Sequence, residues 1–332
     1  MNNYDEVQSN YKIWYLDLKD EVRFENKKEA FLNTHTKSDV VRVQIEPTQR
    51  CNYRCQMCPI DELDLKDTKE DMNLKDYKNI IDKLPSSVTN ICLSGLGEPF
   101  MNEDYIQMAK YAKDKGFYVE IYNNGSLFDE NILEYISEVN FSVDSADTEL
   151  LKKIRKGVNV DVLFDNIRLA VKKRKNYKVN INFTANQDNY KGVQNIYKLC
   201  HELNIDNLNI QSTANNYATN SQMYKSFSSY VKNNNSIDWE LVVNSYDKSF
   251  NFNLQIWYPR KMKGFCAWSF SNIYINKNSQ IISCCQKVTN PTIFGSLKEK
   301  GFNDIYNSTD MKKFRYKHIN NKNIDICNNC PN

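Results

Sequence analysis

The residues best suited to chemistry in this chain are its ten cysteines, since its 332 residues include only three histidines. Cys51, Cys55 and Cys58 form a C-x3-C-x2-C run directly after residues 41–45, where apolar and polar residues alternate. Three thiolates on one loop can each bind one iron of a [4Fe–4S] cubane, and with no fourth cysteine nearby one iron stays open for a small molecule. A structural zinc site is the alternative, but zinc sites usually pair cysteines as C-x2-C, and this run would need a fourth ligand from elsewhere.

A second group of cysteines lies in the last quarter of the chain. Its members are Cys266, Cys284, Cys285, Cys327 and Cys330. Cys327 and Cys330 form a C-x2-C pair, which indicates metal binding when other cysteines lie near. A hairpin predicted around residues 276–279 would bring the other three towards one another. Four thiolates complete a [4Fe–4S] cluster or an all-cysteine zinc site, and spacing alone does not separate the two metals.

Hydrophobic periodicity indicates the elements that position these cysteines. Strands are predicted at residues 41–45, 88–93, 117–121, 141–143, 179–183 and 208–210. Helices are predicted at residues 74–84, 103–115, 163–171 and 193–200. Strands alternating with helices favour right-handed βαβ units and a parallel sheet. An incomplete barrel is favoured and a doubly wound open sheet is the alternative; in both, chemistry gathers at the C-terminal ends of the strands.

Two further segments follow predicted strands. Together with the three-cysteine run, they make the chain resemble the radical S-adenosylmethionine (SAM) superfamily. Ser94-Gly95-Leu96-Gly97-Glu98-Pro99 is similar to the family's Gly-Gly-Glu-Pro segment, and Asn123-Asn124-Gly125 is similar to its Thr-Asn-Gly segment. The residue before the third cysteine is commonly aromatic in the family, and Met57 departs from that pattern.

This resemblance implies a fold, a cofactor and a reaction. The implied fold is α/β, a partial (β/α)6 TIM-like barrel with a small C-terminal twitch-like or SPASM-like domain. SAM would bind the open iron, and reduction of the cluster would cleave SAM to a 5′-deoxyadenosyl radical that abstracts hydrogen from substrate. The residues expected to contact SAM are Gly95, Gly97, Glu98, Pro99, Asn123, Asn124, Ser142, Asp144 and Arg155.

The C-terminal cysteines resemble the auxiliary-cluster extension of the same family, called SPASM or, when shortened, twitch. The resemblance implies a second [4Fe–4S] cluster bound by Cys266, Cys284, Cys327 and Cys330, and Cys284 matches the family position better than Cys285. The expected organisation is a lead-in at residues 1–39, a radical SAM core at 40–212, a connecting region at 213–262 and the auxiliary-cluster domain at 263–332.

An auxiliary cluster favours one class of reaction, because it can accept an electron after hydrogen abstraction. We therefore expect a two-electron oxidation of a sugar-like or cyclitol-like small molecule. Maturation of a ribosomal peptide, by epimerisation or thioether formation, is the alternative, although about 40 residues before the first strand are too few for a peptide-recognition domain. An alternative of another class is a zinc-binding interaction protein, which leaves the first cysteine run unexplained.

Composition limits the partners. The net charge is +3, with both signs mixed along the chain, so no nucleic-acid footprint is present. No apolar run reaches the roughly 20 residues that span a bilayer, and no signal peptide begins the chain, which predicts a cytoplasmic protein without a membrane partner. The expected partners are a small-molecule substrate and an electron donor such as flavodoxin or ferredoxin. The abundance of Asn, Lys and Tyr is interpreted as a compositional bias.

Overall fold

The computed structural model describes residues 40–58, 60, 71–212, 237–257, 268–285, 288 and 291–319. These residues form twelve strands: β1 Arg42–Ile45, β2 Arg54–Cys55, β3 Asn90–Leu93, β4 Tyr118–Asn123, β5 Glu138–Ser142, β6 Arg155–Lys156, β7 Lys178–Ala185, β8 Asn207–Ser212, β9 Asn253–Trp257, β10 Asn272–Ile275, β11 Gln280–Ile282 and β12 Ile293–Ser296.

The described residues also form nine α-helices: α1 Leu74–Asp82, α2 Tyr105–Asp114, α3 Thr148–Ile154, α4 Val160–Lys172, α5 Val193–Glu202, α6 Trp239–Asn244, α7 Trp268–Ser271, α8 Phe302–Tyr306 and α9 Thr309–Ile319. Short 3-10 helices lie at Pro99–Met101, Glu130–Tyr135 and Tyr190–Gly192. None of the helices described is long and apolar enough to cross a bilayer.

Ten of the strands form one sheet in the order β12-β11-β10-β1-β3-β4-β5-β7-β8-β9. All neighbours from β10 to β9 pair in parallel, while β11 and β12 add antiparallel at one edge. The six strands predicted from the sequence are present as six consecutive strands of this sheet, β1, β3, β4, β5, β7 and β8. The α/β fold expected from the resemblance, a partial barrel, is confirmed.

The helices form because their apolar residues recur on one face. In α5, Val193, Ile196, Tyr197 and Cys200 are buried, as their spacing predicts. Helix α4 begins where the side chain of Asn159 accepts a hydrogen bond from the amide of Val162, which caps its first turn. These helix faces and alternate residues of each strand form one continuous apolar core on the convex side of the sheet.

Two features extend the sheet beyond the predicted strands. Within the region expected to be a connection, α6 and β9 are described, and β9 pairs in parallel with β8. At the other side, β10 pairs in parallel with β1 over four residues, from Arg42 with Asn272 to Ile45 with Ile275. The C-terminal segment therefore continues the barrel sheet at its first strand.

The concave side of the sheet is polar. Strand residues alternate, so each side chain that does not face the helices points to the concave side. One row of asparagines crosses four neighbouring strands in register. It consists of Asn140 in β5, Asn180 in β7, Asn207 in β8 and Asn253 in β9. The carboxamide of Asn180 donates to Asn140 at 3.1 Å and that of Asn207 donates to Asn180 at 2.6 Å, while Asn253 donates to Asn207 at 3.3 Å. We call this row the asparagine ladder.

Candidate functional site

The three-cysteine loop leaves the C-terminal end of β1 and carries Cys51, Cys55 and Cys58, all half-buried. Cys55 lies in β2, which pairs antiparallel with β6, so that Cys55 stands opposite Arg155. The amide of Cys58 donates to the carbonyl of Cys55 at 3.0 Å, and the amide of Tyr53 donates to the sulfur of Cys51 at 3.4 Å. The ribbon of β2 and β6 thus fixes the middle of the loop against the barrel.

Gly97 lets the loop after β3 pack on the residues that lead into the cysteines. A Cβ atom at Gly97 would lie 2.4 Å from the carbonyl oxygen of Arg50 and 2.7 Å from that of Thr48. The adjacent amide of Glu98 donates to the Arg50 carbonyl at 2.8 Å. Only glycine permits this approach, because backbone atoms cannot move aside as a flexible side chain does.

A ring of side chains joins the cysteine loop to the loop after β4. Asn124 donates from its carboxamide to Asn52 at 2.9 Å, and Asn52 donates to the hydroxyl of Ser126 at 2.8 Å. The hydroxyl of Ser126 closes the ring by donating to Asn124 at 2.6 Å. Asn52 lies between the first two cysteines, so this ring connects the thiols to the Asn123-Asn124-Gly125 segment.

Glu98 is buried, at 2% exposure, and both its carboxylate oxygens accept backbone hydrogen bonds. The amide of Asn124 donates at 2.7 Å and the amide of Phe100 at 3.3 Å. Burial raises the pKa of Glu98 to about 7, although the two amides and nearby Arg155 oppose the shift. Glu98 therefore titrates near neutral pH.

Asp144 and Arg155 form an ion pair of 2.7 Å beneath the cysteine loop, and Asp144 is fully buried. The other oxygen of Asp144 accepts from the amide of Thr184 at 2.7 Å. Nη1 of Arg155 lies 3.9 Å from the sulfur of Cys55. In this structure Asp144 thus contacts Arg155 and Thr184, and Arg155 joins that carboxylate to the cysteines.

The remaining residues expected to contact SAM surround the same point. Gly95 packs on Glu46, Pro99 is the buried first residue of its 3-10 helix, and Asn123 accepts from the amide of Gly125 at 2.9 Å. Ser142 ends β5 on the concave side, in register with Asn182. The fold thus brings the loops that follow β1, β3, β4 and β5 to one end of the barrel.

The electrostatics of the thiols fit a site for a cationic iron cluster. Burial raises the pKa of Cys55 to about 11 and that of Cys58 to about 12, so the thiolates need positive charge beside them. Arg155 supplies part of that charge. The side-chain oxygen of Gln56, between these two cysteines, is buried without a hydrogen-bond partner among the described residues. Three thiols on one braced loop match three corners of a cubane, in which each thiolate binds its own iron.

Among the described residues, no three His, Cys, Asp or Glu side chains gather as the ligands of a single metal ion would. The second cysteine group is described in part. Cys284 and Cys285 follow β11 and are both half-buried. Cys266, Cys327 and Cys330 lie outside the described residues, so the four-cysteine site remains a prediction.

The sequence interpretation missed the polar concave side of the barrel. One step towards the C-terminal ends from the asparagine ladder, a second row crosses the sheet in register. This row, which we call the upper row, consists of Ser142, Asn182, Asn209 and Gln255. Asn209 donates to Asn182 at 2.8 Å, while its own side-chain oxygen is buried without a partner in the described structure. The signal was present as polar residues at alternate positions of predicted strands, but asparagine was interpreted as compositional bias.

The chain matches two protein-family models. Residues 45–200 match the family model of the radical SAM superfamily. The chain carries a radical SAM domain. Residues 266–331 match the model of the SPASM iron–sulfur cluster-binding domain, so the resemblance seen in the sequence is confirmed for both parts. The cofactors of such proteins are SAM with a [4Fe–4S] cluster, and SPASM domains bind auxiliary iron–sulfur clusters.

The chain is similar to a cofactor-modifying protein and to a synthase. It is 23% identical over 302 residues to the tungsten-containing aldehyde ferredoxin oxidoreductase cofactor-modifying protein of Pyrococcus furiosus, and the match covers 82% of each chain. It is 28% identical over 158 residues to Fe-coproporphyrin III synthase of Methanosarcina barkeri, covering 47% of this chain and 39% of that protein.

Solved structures share the fold. SuiB of Streptococcus suis has a TM-score of 0.68 at 17% sequence identity, covering 96% of this chain and 77% of SuiB. The enzyme anSMEcpe with bound AdoMet has a TM-score of 0.62 at 16% identity, covering 87% of this chain and 86% of that chain. At these identities the likeness concerns the fold alone.

Proposed function

We propose that this radical SAM protein oxidises a small, hydroxylated molecule, of the sugar or cyclitol class, by two electrons. The proposal assigns Cys51, Cys55 and Cys58 to the SAM-cleaving [4Fe–4S] cluster, and Cys266, Cys284, Cys327 and Cys330 to one auxiliary cluster. When bound, SAM and the reduced cluster supply a carbon radical that removes a hydrogen atom from substrate. An electron donor such as flavodoxin or ferredoxin would supply the first electron.

The observation that carries the substrate class is the concave side of the barrel. Three of its charged side chains have hydrogen-bond partners among the described residues: Arg42 donates to both oxygens of Glu120, and Glu138 accepts from Tyr118 and Asn140. The upper row above them presents a hydroxyl and three carboxamides, which donate and accept hydrogen bonds without net charge. Such a wall matches the hydroxyl groups of an uncharged polyol.

The residues of the site have separate tasks in this proposal. Glu98 faces the end of the barrel where the amino group of SAM would bind, and Arg155 offsets the charge of the cysteine thiolates. The upper row orients the substrate. The oxidation would remove one C–H hydrogen atom, the adjacent O–H proton and one electron from the substrate, leaving a carbonyl. A base would take the proton, and an auxiliary cluster held by the C-terminal cysteines would be the acceptor of the electron.

Metal content tests the two cluster assignments. After anaerobic reconstitution we expect about eight irons per chain, falling to about four when Cys51, Cys55 and Cys58 are all replaced by Ala. The matched control is Cys200→Ala, because Cys200 is a buried core residue of α5; it should keep about eight irons. About four irons with one zinc would instead make the C-terminal site structural and remove the electron acceptor.

Product analysis tests the substrate class. With SAM and reductant, we expect a panel of free cyclitols and sugars to increase formation of 5′-deoxyadenosine and to yield a carbonyl product. Asn182→Leu should raise KM for the responding polyol by about tenfold, since it removes hydrogen-bonding groups at similar volume. Leu241→Asn, at an exposed position of α6, is the control with unchanged KM. Stimulation by short peptides and by no polyol would favour the alternative, maturation of a ribosomal peptide, and contradict the proposal.

A further inference from the structure

Glu46 is a buried carboxylate that the proposed reaction does not use. It follows β1 and has no exposed surface. Burial raises its pKa, which four hydrogen-bond donors partly offset. A charge-bearing group in such a place is retained only when its contacts compensate for its loss of water.

The donors to Glu46 come from two parts of the chain. From the radical SAM domain, the side chain of Gln49 donates at 2.9 Å and the amide of Leu96 at 3.3 Å. From the C-terminal hairpin of β10 and β11, the hydroxyl of Tyr274 donates at 2.7 Å and the amide of Lys277 at 3.3 Å. The carboxylate therefore bridges the hairpin and the loop that follows β3.

The loop after β3 is shaped around this carboxylate. A Cβ atom at Gly95 would lie 2.3 Å from Cγ of Glu46, so a side chain at position 95 would clash with Glu46. Leu96, whose amide Glu46 holds, lies between the two glycines expected at SAM.

The hairpin side of the bridge leads to the second cysteine group. Tyr274 pairs in register with Ile282, two residues before Cys284. Glu46 is five residues before Cys51. The hydrogen bond from Tyr274 to Glu46 thus joins β10 to the residue that follows β1. Strand β1 leads into the three-cysteine loop, and β10 pairs with β11, which leads to Cys284.

We propose that Glu46 and Tyr274 form a positioning contact through which the C-terminal hairpin holds the SAM-binding loop at residues 94–98. The contact acts on SAM through Leu96 and Gly95 and touches no reacting atom. It rests on the proposed placement of SAM at this loop. It makes SAM affinity depend on a residue of the C-terminal segment.

The test compares two Tyr→Phe variants of the reconstituted full chain. Tyr274→Phe removes the hydroxyl that spans the two parts. Tyr197→Phe removes a buried hydroxyl of α5 that donates to the carbonyl of Val242 at 2.6 Å and has no part in the Glu46 contact. We expect Tyr274→Phe to weaken SAM binding about fivefold, as expected for one hydrogen bond, and Tyr197→Phe to change it less than twofold. Glu46→Gln should weaken it at least as much as Tyr274→Phe, because its amide would oppose the donors from Leu96 or Lys277.

Hydrogen exchange of the cluster-free chain gives a second readout. The amides of residues 94–98 should exchange faster in Tyr274→Phe than in wild type, and at the wild-type rate in Tyr197→Phe. Equal SAM affinity and equal exchange in wild type and Tyr274→Phe would overturn the positioning contact. So would equal weakening in both Tyr→Phe variants, which would report only general stability. Wild type that binds no SAM would refute the proposed site itself and with it this inference.

Discussion

At the scale of single residues, Glu98 makes the stability of the folded chain depend on pH. Its pKa is about 7 in the folded chain because burial disfavours the carboxylate, against an ordinary value of 4.5. Between about pH 4.5 and pH 7, Glu98 is therefore protonated in the folded state and ionised in the unfolded state. Stability contributed by this group is therefore present below about pH 4.5 and decreases as the pH rises through about 7.

Replacement of Glu98 by Gln tests this linkage. Between pH 4.5 and 8, wild type without cofactors should lose about 3 kcal/mol of unfolding free energy more than Glu98→Gln does, from about 1.4 kcal/mol per unit of pKa. Denaturant unfolding at several pH values measures the difference, and Glu103→Gln, near Glu98 in sequence, serves as the control. Parallel pH profiles for wild type and Glu98→Gln would show that folding does not raise the pKa of Glu98.

Single residues also show what motif spacing predicts. The positions of Glu98 and Asn124 after particular strands predicted that they lie at one end of the barrel, and Arg155 was expected there from the family resemblance of its own segment. The sequence did not predict their partners, because the ion pair of Arg155 with Asp144 and the pairing of Arg155 with Cys55 form only in the folded chain. The contact of Glu98 with the amide of Asn124 likewise depends on how two loops pack.

At the scale of elements, the loop after β3 packs on the residues that lead into the cysteine loop, and Gly97 lies at this contact. Gly97→Ala places a methyl group against two backbone carbonyls. We expect a loss of about 1–3 kcal/mol in unfolding free energy together with a loss of iron from the first cluster, because the residues before Cys51 must shift.

Gly192→Ala is the matched control for that substitution. A Cβ atom at Gly192 meets nothing within 4 Å, so this variant should keep both stability and iron content. Iron analysis and thermal unfolding of the two variants give the comparison. If Gly97→Ala retained the iron content of Gly192→Ala, the close approach would not matter to the cysteine loop.

The elements differ in how readily a sequence indicates them. The central strands were predictable because their apolar residues alternate or run together between turn signals. Strand β9 also alternates, with Leu254 and Ile256 buried, but it follows a long polar stretch that indicated a connection. The asparagine ladder was missed for another reason: an amide row is favourable only when register brings the side chains together, and register is a property of the assembled sheet.

At the scale of the whole molecule, the radical SAM barrel and the C-terminal hairpin share one sheet. A chain truncated after residue 262 lacks β10, so β1 becomes an unpaired edge and Glu46 loses Tyr274 and Lys277. We expect this chain to aggregate, since an unpaired apolar strand edge invites pairing between molecules.

A longer truncated chain separates loss of the sheet from loss of the auxiliary cluster. Residues 1–319 keep β10 to β12 together with α8 and α9, but lack Cys327 and Cys330. This chain should remain monomeric and folded by size-exclusion chromatography and circular dichroism, while binding only the first cluster. A folded monomer of residues 1–262 would mean that the barrel does not need β10.

The pairing of β1 with β10 also has a consequence for folding during translation. Arg42 is translated well before its partner Asn272, because the two residues lie far apart in the sequence. Pairings so distant in sequence form slowly, and until then the nascent barrel displays one bare side to other chains and to chaperones. The loop that holds the first three cysteines follows that same strand, so these thiols are translated before the sheet beside them is complete.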